Sequence, residues 1–323
     1  MATVINVQLN EQFEANEWRE LLMRLNGTPI HLPEILRAGT SPENIVYLIF
    51  KRGAEVVAAS TALRTTKKLL RLFKGAPSLY LPMLPAVLPG GEEAEILQAI
   101  ISFARSSGFE RVEVDPRWGK DFTRLPEFSE YIGHSLAEFV LDLRQDPESM
   151  LKGMHKKHRK NIREAGEHNL EVVEDRSLEG FLKLRGMQES SSERSAERGN
   201  AYAIQGEEFF RENYDAVYRN GPGSVLFARE NGTDVAALAY LSFGRKAITV
   251  RSGSTQQGYV TSAMYLLQFE LMRRLKESGC EELNIGAVPA EARESEHPQY
   301  GLYNYKRYYG GEERISSGMI IRS

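Results

Sequence analysis

The chain has 323 residues, 41% of them apolar, and a formal net charge of −3. That length can bury two cores, and the slightly acidic balance excludes a protein coated in basic residues, so any contact with nucleic acid has to come from a local patch. The single cysteine, Cys280, excludes an internal disulfide and a multi-cysteine zinc site, and no window reaches the roughly 18 uninterrupted apolar residues of a membrane span. Met1-Ala2-Thr3-Val4-Ile5-Asn6 lacks the basic flank and apolar run of a signal peptide, so the expected setting is cytoplasmic, with no stable membrane insertion.

In chain order, 45–50 and 55–62 predict strands around the turn Lys51-Arg52-Gly53-Ala54, followed by a third strand over 69–74. Residues 92–107 predict a helix with Ile96, Ala99, Ile100, Phe103 and Ala104 on one face, closed by Gly108, and 111–115 a returning strand. Phe139 to Leu143 reads as the last strand of this half, and Asp146-Pro147 as a link. The second half repeats the order. Strands over 224–229 and 234–243 flank Glu230-Asn231-Gly232-Thr233, 246–252 is the third strand, and 282–285 returns after a helix over 262–278 with Leu266, Phe269, Glu270 and Arg273 along successive turns. Hairpin, strand, helix, strand, given twice, predicts two mixed α/β units: residues 1–145, with 312–323 folding back on them, and 146–311.

Between the halves lies Lys152-Gly153-Met154-His155-Lys156-Lys157-His158-Arg159-Lys160-Asn161-Ile162-Arg163, a run without an acid. On a single linker helix over 150–166, Lys152, Lys156, Arg159, Lys160 and Arg163 form a cationic stripe opposite Leu151, Met154, His158, Ile162 and Ala165. A solvated face is one reading of that stripe; a surface for an anionic ligand is the other. His155 and His158 have no third ligand at metal spacing, so no metal is expected.

The tail Gly301-Leu302-Tyr303-Asn304-Tyr305-Lys306-Arg307-Tyr308-Tyr309-Gly310-Gly311 sets one Lys-Arg pair among aromatic rings. Such a lysine can be held partly desolvated, as a cation that stabilises an oxyanion or a phosphate requires. A surface strand with a solvated lysine is the competing reading; as a strand, it would turn Arg307 away from Lys306.

Three segments carry a family resemblance. Leu141-Asp142-Leu143 with Lys160-Asn161-Ile162-Arg163-Glu164-Ala165 resembles the Leu-x-Leu strand and basic helix of the FemABX family, which moves an amino acid from aminoacyl-tRNA to an amine of a peptidoglycan precursor. The tail resembles that family's Gly-Leu-x-x-Phe-Lys-x-x-Phe-Gly, and Arg198 with Tyr202 resembles an Arg and aromatic pair that helps to hold the acceptor. The resemblance implies two tandem units of the GNAT acyltransferase fold, no bound cofactor, aminoacyl-tRNA as donor and a peptide or nucleotide-peptide as acceptor. It places Lys306 and Tyr305 at the aminoacyl ester, Arg198, Tyr202 and Arg251 at the acceptor, and Lys156, Lys160 and Arg163 on the tRNA.

The sequence also departs from that pattern. Thr249-Val250-Arg251-Ser252-Gly253-Ser254 has an arginine where tyrosines are expected, which points to a different anionic acceptor, and the Pro-rich 82–89 lacks an expected acid. An activated ester needs orientation and an oxyanion donor more than a nucleophile, in keeping with the lack of a Ser-His-Asp or Cys-His set. Glu270 and Asp142 are both open as general base. Two other readings stand: an acyl-CoA-dependent N-acyltransferase, set back by the single glycine of Ser254-Thr255-Gln256-Gln257-Gly258-Tyr259, and a non-catalytic RNA-binding module.

Overall fold

A computed structural model describes residues 5–69, 73–91, 93–118, 130–197 and 202–322. The chain divides into two compact units, Met1–Leu136 with Ile315–Ser323, and Ala137–Arg314. Both are mixed α/β.

In the first unit, β1 (Ile5–Asn10), β2 (Ile45–Arg52), β3 (Glu55–Leu69) and β4 (Phe73–Leu81) follow one another as an antiparallel meander, with the short β5 (Ala86–Val87) on β3. Helices α1 (Ala15–Arg24) and α2 (Pro33–Arg37) precede β2. Helix α3 (Glu93–Ser106) then carries the chain over to β6 (Arg111–Val114), which lies parallel to β4 as a helical crossover permits. Ile96, Ala99, Ile100 and Ala104 of α3 are buried as their spacing predicts, against Val46, Leu48, Phe50, Leu79, Leu81, Val112 and Val114.

The third strand expected over 69–74 is not one element: β3 runs on to Leu69 and β4 begins at Phe73. Pro77 lies within β4. It is tolerated because it pairs with Thr66 beside a register shift, where a missing N–H costs little.

In the second unit, β7 (Ile132–Asp142) enters from Ala137 onward, and α4 (Pro147–Gly153) and α5 (Lys156–Glu167) lead to β8 (Leu170–Asp175). After α6 (Leu178–Ala196) and α7 (Glu207–Asn213) come β9 (Gly223–Glu230), β10 (Thr233–Phe243) and β11 (Lys246–Ser254). Helices α8 (Gln256–Val260) and α9 (Ala263–Glu277) cross to β12 (Glu282–Pro289), and α10 (Tyr300–Arg307) leads to the last strand, β13 (Glu312–Arg322). The strand order is β7-β12-β11-β10-β9-β8, antiparallel from β8 to β11 and parallel between β11 and β12. In the first unit β13 closes the order beside β6, antiparallel, with Met319 opposite Val114.

Three expectations are corrected here. The basic stretch is two helices, not one: α4 ends at Gly153, Met154 is extended, and His155 caps α5 by accepting from the Lys157 N–H at 3.2 Å. Arg159 bridges the break, donating to the carbonyls of Lys152 (2.9 Å) and Met154 (2.7 Å), so its guanidinium is a brace rather than part of a free cationic stripe. The tail from Tyr300 to Arg307 is helix, not strand, because rings three and four residues apart there find partners on α5 and α9. On α9 the buried residues are Ala263, Leu267, Gln268, Leu271, Met272 and Leu275, so the face drawn through Leu266, Phe269, Glu270 and Arg273 is the outer one.

Candidate active site

The parallel pair in the second unit stops early. Lys246, Ala247 and Ile248 pair with Glu282, Leu283 and Asn284, and beyond that rung neither Thr249–Ser254 nor Ile285–Pro289 continues the ladder, although both strands go on. Lys306 of α10 reaches the opening, and its ammonium donates to the Ile285 carbonyl. Gly286, next along β12, has φ of +85°, and a Cβ there would stand 2.9 Å from Lys306 Nζ and 3.7 Å from the Thr249 carbonyl oxygen. The ammonium thus lies against β12 just past the last rung, where Gly286 comes close both to it and to the Thr249 carbonyl of β11. Only a residue without a Cβ combines that conformation with that approach.

Burial alone pushes the Lys306 ammonium down to about 8, and among the described residues no carboxylate pairs with it. A cation held this way keeps donors for an incoming oxyanion and is not neutralised in advance.

Around it is a nest of rings. Tyr305 and Tyr309 share a hydroxyl contact at 3.1 Å, Tyr265 of α9 meets Tyr305 edge-on at 5.4 Å, and burial pushes all three phenols above their ordinary range, so they stay neutral. His158 of α5, 1% exposed, packs edge-on against Tyr265 and Tyr309 and bonds the Tyr305 carbonyl through Nε2 at 2.8 Å. Desolvation brings its imidazole down to about 4, so it is a neutral packing residue at ordinary pH. The His155 N–H also donates to the Tyr308 carbonyl at 2.9 Å, and the two rings stack at 4.1 Å. The structure therefore joins the start of the basic helix to the helix that carries Lys306.

On α5, His158, Ile162 and Ala165 are buried while Lys156, Lys160 and Arg163 are exposed. Lys160 pairs with Glu164 at 3.3 Å; Lys156 and Arg163 have no ion pair among the described residues. Arg251 lies on β11 past the last parallel rung, its guanidinium over the rings of Phe209 (5.4 Å) and Phe210 (4.9 Å). Burial pushes it below its ordinary value, and it has neither acid nor hydrogen-bond acceptor among the described residues. A half-buried planar cation of this kind offers its edge to a carboxylate or phosphate.

Tyr202 is not helical. It follows the end of α6, 45% exposed, tied to Ser192 through both its N–H and its carbonyl. Arg198 lies outside the described residues. The two candidate bases are engaged: Asp142 accepts three bonds from Arg144, which hold it below its ordinary value, and Glu270 accepts from Arg273 and Arg274. No group of three metal-ligating side chains and no helix long and apolar enough to cross a membrane occurs among the described residues.

What the sequence reading missed is Asn284, Glu138 and Tyr265. A glycine inside the strand-like Leu283-Asn284-Ile285-Gly286 was the available signal for the first.

Comparison with known proteins bears on the fold. Residues 152–307 match the acetyltransferase (GNAT) domain. Among solved structures, a FemX superposes with a TM-score of 0.76 at 12% identity, over 98% of this chain and 97% of the other. The C-terminal domain of a putative lysylphosphatidylglycerol synthetase from Agrobacterium fabrum gives 0.55 at 13%, over 96% and 93%, and L-PGS from Bacillus licheniformis 0.53 at 14%, over 97% and 94%. No curated protein matches significantly in sequence. The chain thus has the FemX-like tandem GNAT fold, and its residues 152–307 match the GNAT acetyltransferase domain.

Proposed function

We propose that the protein moves the aminoacyl group of an aminoacyl-tRNA onto the amine of a peptidoglycan precursor or a related peptide. One observation carries the reading: a single helix, α10, holds the Lys306 ammonium in the opened β11–β12 pair and, through Tyr308 and His155, docks on the start of the exposed cationic helix α5. Phosphates following Lys156, Lys160 and Arg163 lead a 3′ terminus toward that helix.

In this reading the acceptor amine attacks the ester carbonyl, and a C–N bond forms. The oxyanion develops beside Lys306, with the neutral Tyr305 walling the lysine stem. The tetrahedral centre then collapses with loss of the ribose oxygen, which takes up the proton that the amine gives up. Arg251, with Tyr202 and Arg198, holds the acceptor's anionic group. Because the ester is already activated, positioning and charge stabilisation suffice, which accords with Asp142 and Glu270 being tied up in ion pairs.

The acyl-CoA reading is disfavoured by the segment that would cradle a pyrophosphate. A Cβ on Gly258 would stand 2.1 Å from the Val235 carbonyl oxygen, so this glycine serves strand packing, and its N–H is already taken by Thr255 Oγ1 at 3.1 Å. The nearby cleft of about 450 Å³ is lined by Lys183 and Thr255, but Lys183 already pairs with Glu179 and Asp234.

The test is a donor competition. Purified protein is supplied with a charged, radiolabelled tRNA pool or with acetyl-CoA, each with peptide amine acceptors. Consumption of aminoacyl-tRNA is expected. Consumption of acetyl-CoA alone overturns the reading, and salt-dependent RNA binding without turnover leaves a binding module instead.

A further inference from the structure

The opening that receives Lys306 is built by groups that the transfer itself does not use. Glu138 on β7 is 1% exposed and Asn284 on β12 is fully buried. Asn284 Nδ2 donates to Glu138 Oε1 at 2.7 Å, and Asn284 Oδ1 accepts the Gly286 N–H at 2.8 Å. Asn284 is also the last residue of β12 paired with β11.

These contacts fix one orientation of the amide. A carboxylate oxygen only accepts, so the amide nitrogen must face Glu138 and the oxygen must face Gly286; the flipped amide would set oxygen against oxygen and N–H against N–H. A side-chain oxygen bonding the backbone N–H two residues on makes a local turn that competes with the ladder. Here it removes the Gly286 N–H from strand pairing, and Gly286 takes up its left-handed conformation. Ile285, lying between the two, presents its carbonyl to Lys306.

We infer that Glu138 and Asn284 are positioning residues that build the seat of the Lys306 ammonium: the buried carboxylate fixes the amide, the amide captures the Gly286 N–H, and the turned backbone delivers the Ile285 carbonyl. The inference deepens the transferase reading, and only its turnover arm depends on that reading.

The test reads the lysine directly. Purified protein is acetylated briefly with an N-hydroxysulfosuccinimide ester across a pH series, and labelling of Lys306 is quantified by peptide mass spectrometry, with the exposed Lys156 as internal reference. Only the neutral amine reacts. In the unaltered protein Lys306 is expected to reach its half-point near pH 8, lowered by burial.

Asn284→Ala frees the Gly286 N–H and is expected to move that half-point up toward the ordinary value of a solvated lysine. The exchanged pair, Glu138→Gln with Asn284→Asp, keeps one amide and one carboxylate. The amide now on β7 donates to the carboxylate now on β12, whose other oxygen still accepts from Gly286. This double variant is expected to restore the original half-point.

With aminoacyl-tRNA, Asn284→Ala should lose turnover by about a hundredfold, as misplacement near 1 Å does, at unchanged KM for the donor, and the exchanged pair should recover it. An Asn284→Ala protein with a lower Tm but an unmoved half-point overturns the inference. So does an exchanged pair that folds yet leaves the half-point at the ordinary lysine value, and this arm decides alone if Asn284→Ala does not fold. Absence of any tRNA-dependent turnover would sink the transferase reading while the labelling still decides the seat.

Discussion

Both units contain a parallel strand pair made by a helical crossover, and the two pairs end differently. In the first unit the β4–β6 pair closes to the end of both strands: Ser78 to Leu81 pair with Arg111 to Val114, and flanking bonds from Glu110 to Pro77 and from Asp115 to Leu81, each 2.9 Å, finish it. In the second unit the β11–β12 pair stops after three rungs, and a lysine from a later helix occupies the opening. A continuous ladder satisfies its own backbone and contributes stability. An interrupted one frees a carbonyl and an edge for chemistry, and the surrounding rings must hold it open.

The closed pair should respond to truncation as a core does. Leu81 is fully buried, and Leu81→Ala should cost about 2–5 kcal/mol, read as a lowered urea midpoint, while turnover per folded molecule stays the same. A change in turnover greater than the loss of folded protein would mean that the closed pair also takes part in the reaction.

The open pair should show the reverse. Lys306→Ala should reduce aminoacyl transfer by on the order of tenfold to a thousandfold, and Lys306→Arg should recover only part, since a planar fork cannot place its charge where a compact ammonium sat. Arg307, exposed on the same helix, is the control, and Arg307→Ala should leave turnover nearly intact. In the proposed reaction the charged form is the active one, so kcat should fall as pH rises through about 8. For stability the sign is opposite: the folded protein releases this proton before the unfolded chain does, so the cost of burying the charge lessens as pH rises from about 8 toward the ordinary lysine range. Equal damage from Arg307→Ala would break the contrast.

A smaller effect is expected at Arg251. A hydrogen bond to a charged group is worth about 1.5–3 kcal/mol, so Arg251→Ala should raise the acceptor's KM by roughly tenfold to a hundredfold and leave donor KM alone. A protein with lowered Tm but unchanged acceptor kinetics would reduce Arg251 to a packing partner of Phe209 and Phe210.

The smallest effect is on α5. Replacing Lys156, Lys160 and Arg163 by alanine should lower the salt dependence of tRNA binding by about 0.7 to 0.9 in log–log slope for each phosphate that is no longer neutralised. Measured by filter binding across a salt series, an unchanged slope would make this face merely solvated.

The hairpin, strand, helix, strand order was legible because each element carries its own period and its own turn chemistry, as the buried stripe of α3 and the Asn231-Gly232 turn show. The tail's helix was not legible. Tyr303, Tyr305 and Tyr309 have strand-like propensity, and only the presence of Phe139, Tyr265 and His158 makes the helical spacing the one that buries them. The break between α4 and α5 was hidden for a related reason. Met154 fits a continuous apolar stripe with Leu151 and His158, whereas the contact of His155 with Tyr308 pulls the chain out of it.

By itself, then, the sequence determined that the chain is two mixed α/β units with a cationic helix and a lysine set among rings near its end, because periodicity, charge and turn residues are local properties. Tertiary structure alone decided that the lysine enters an interrupted strand pair, that its helix docks on the cationic one, and that Glu138 and Asn284 stand behind it. The docking of the two helices and the Glu138–Asn284 pair join residues more than a hundred positions apart, and even Lys306 and Ile285 are 21 apart; such contacts are settled by burial and by the need of each buried polar group for a partner.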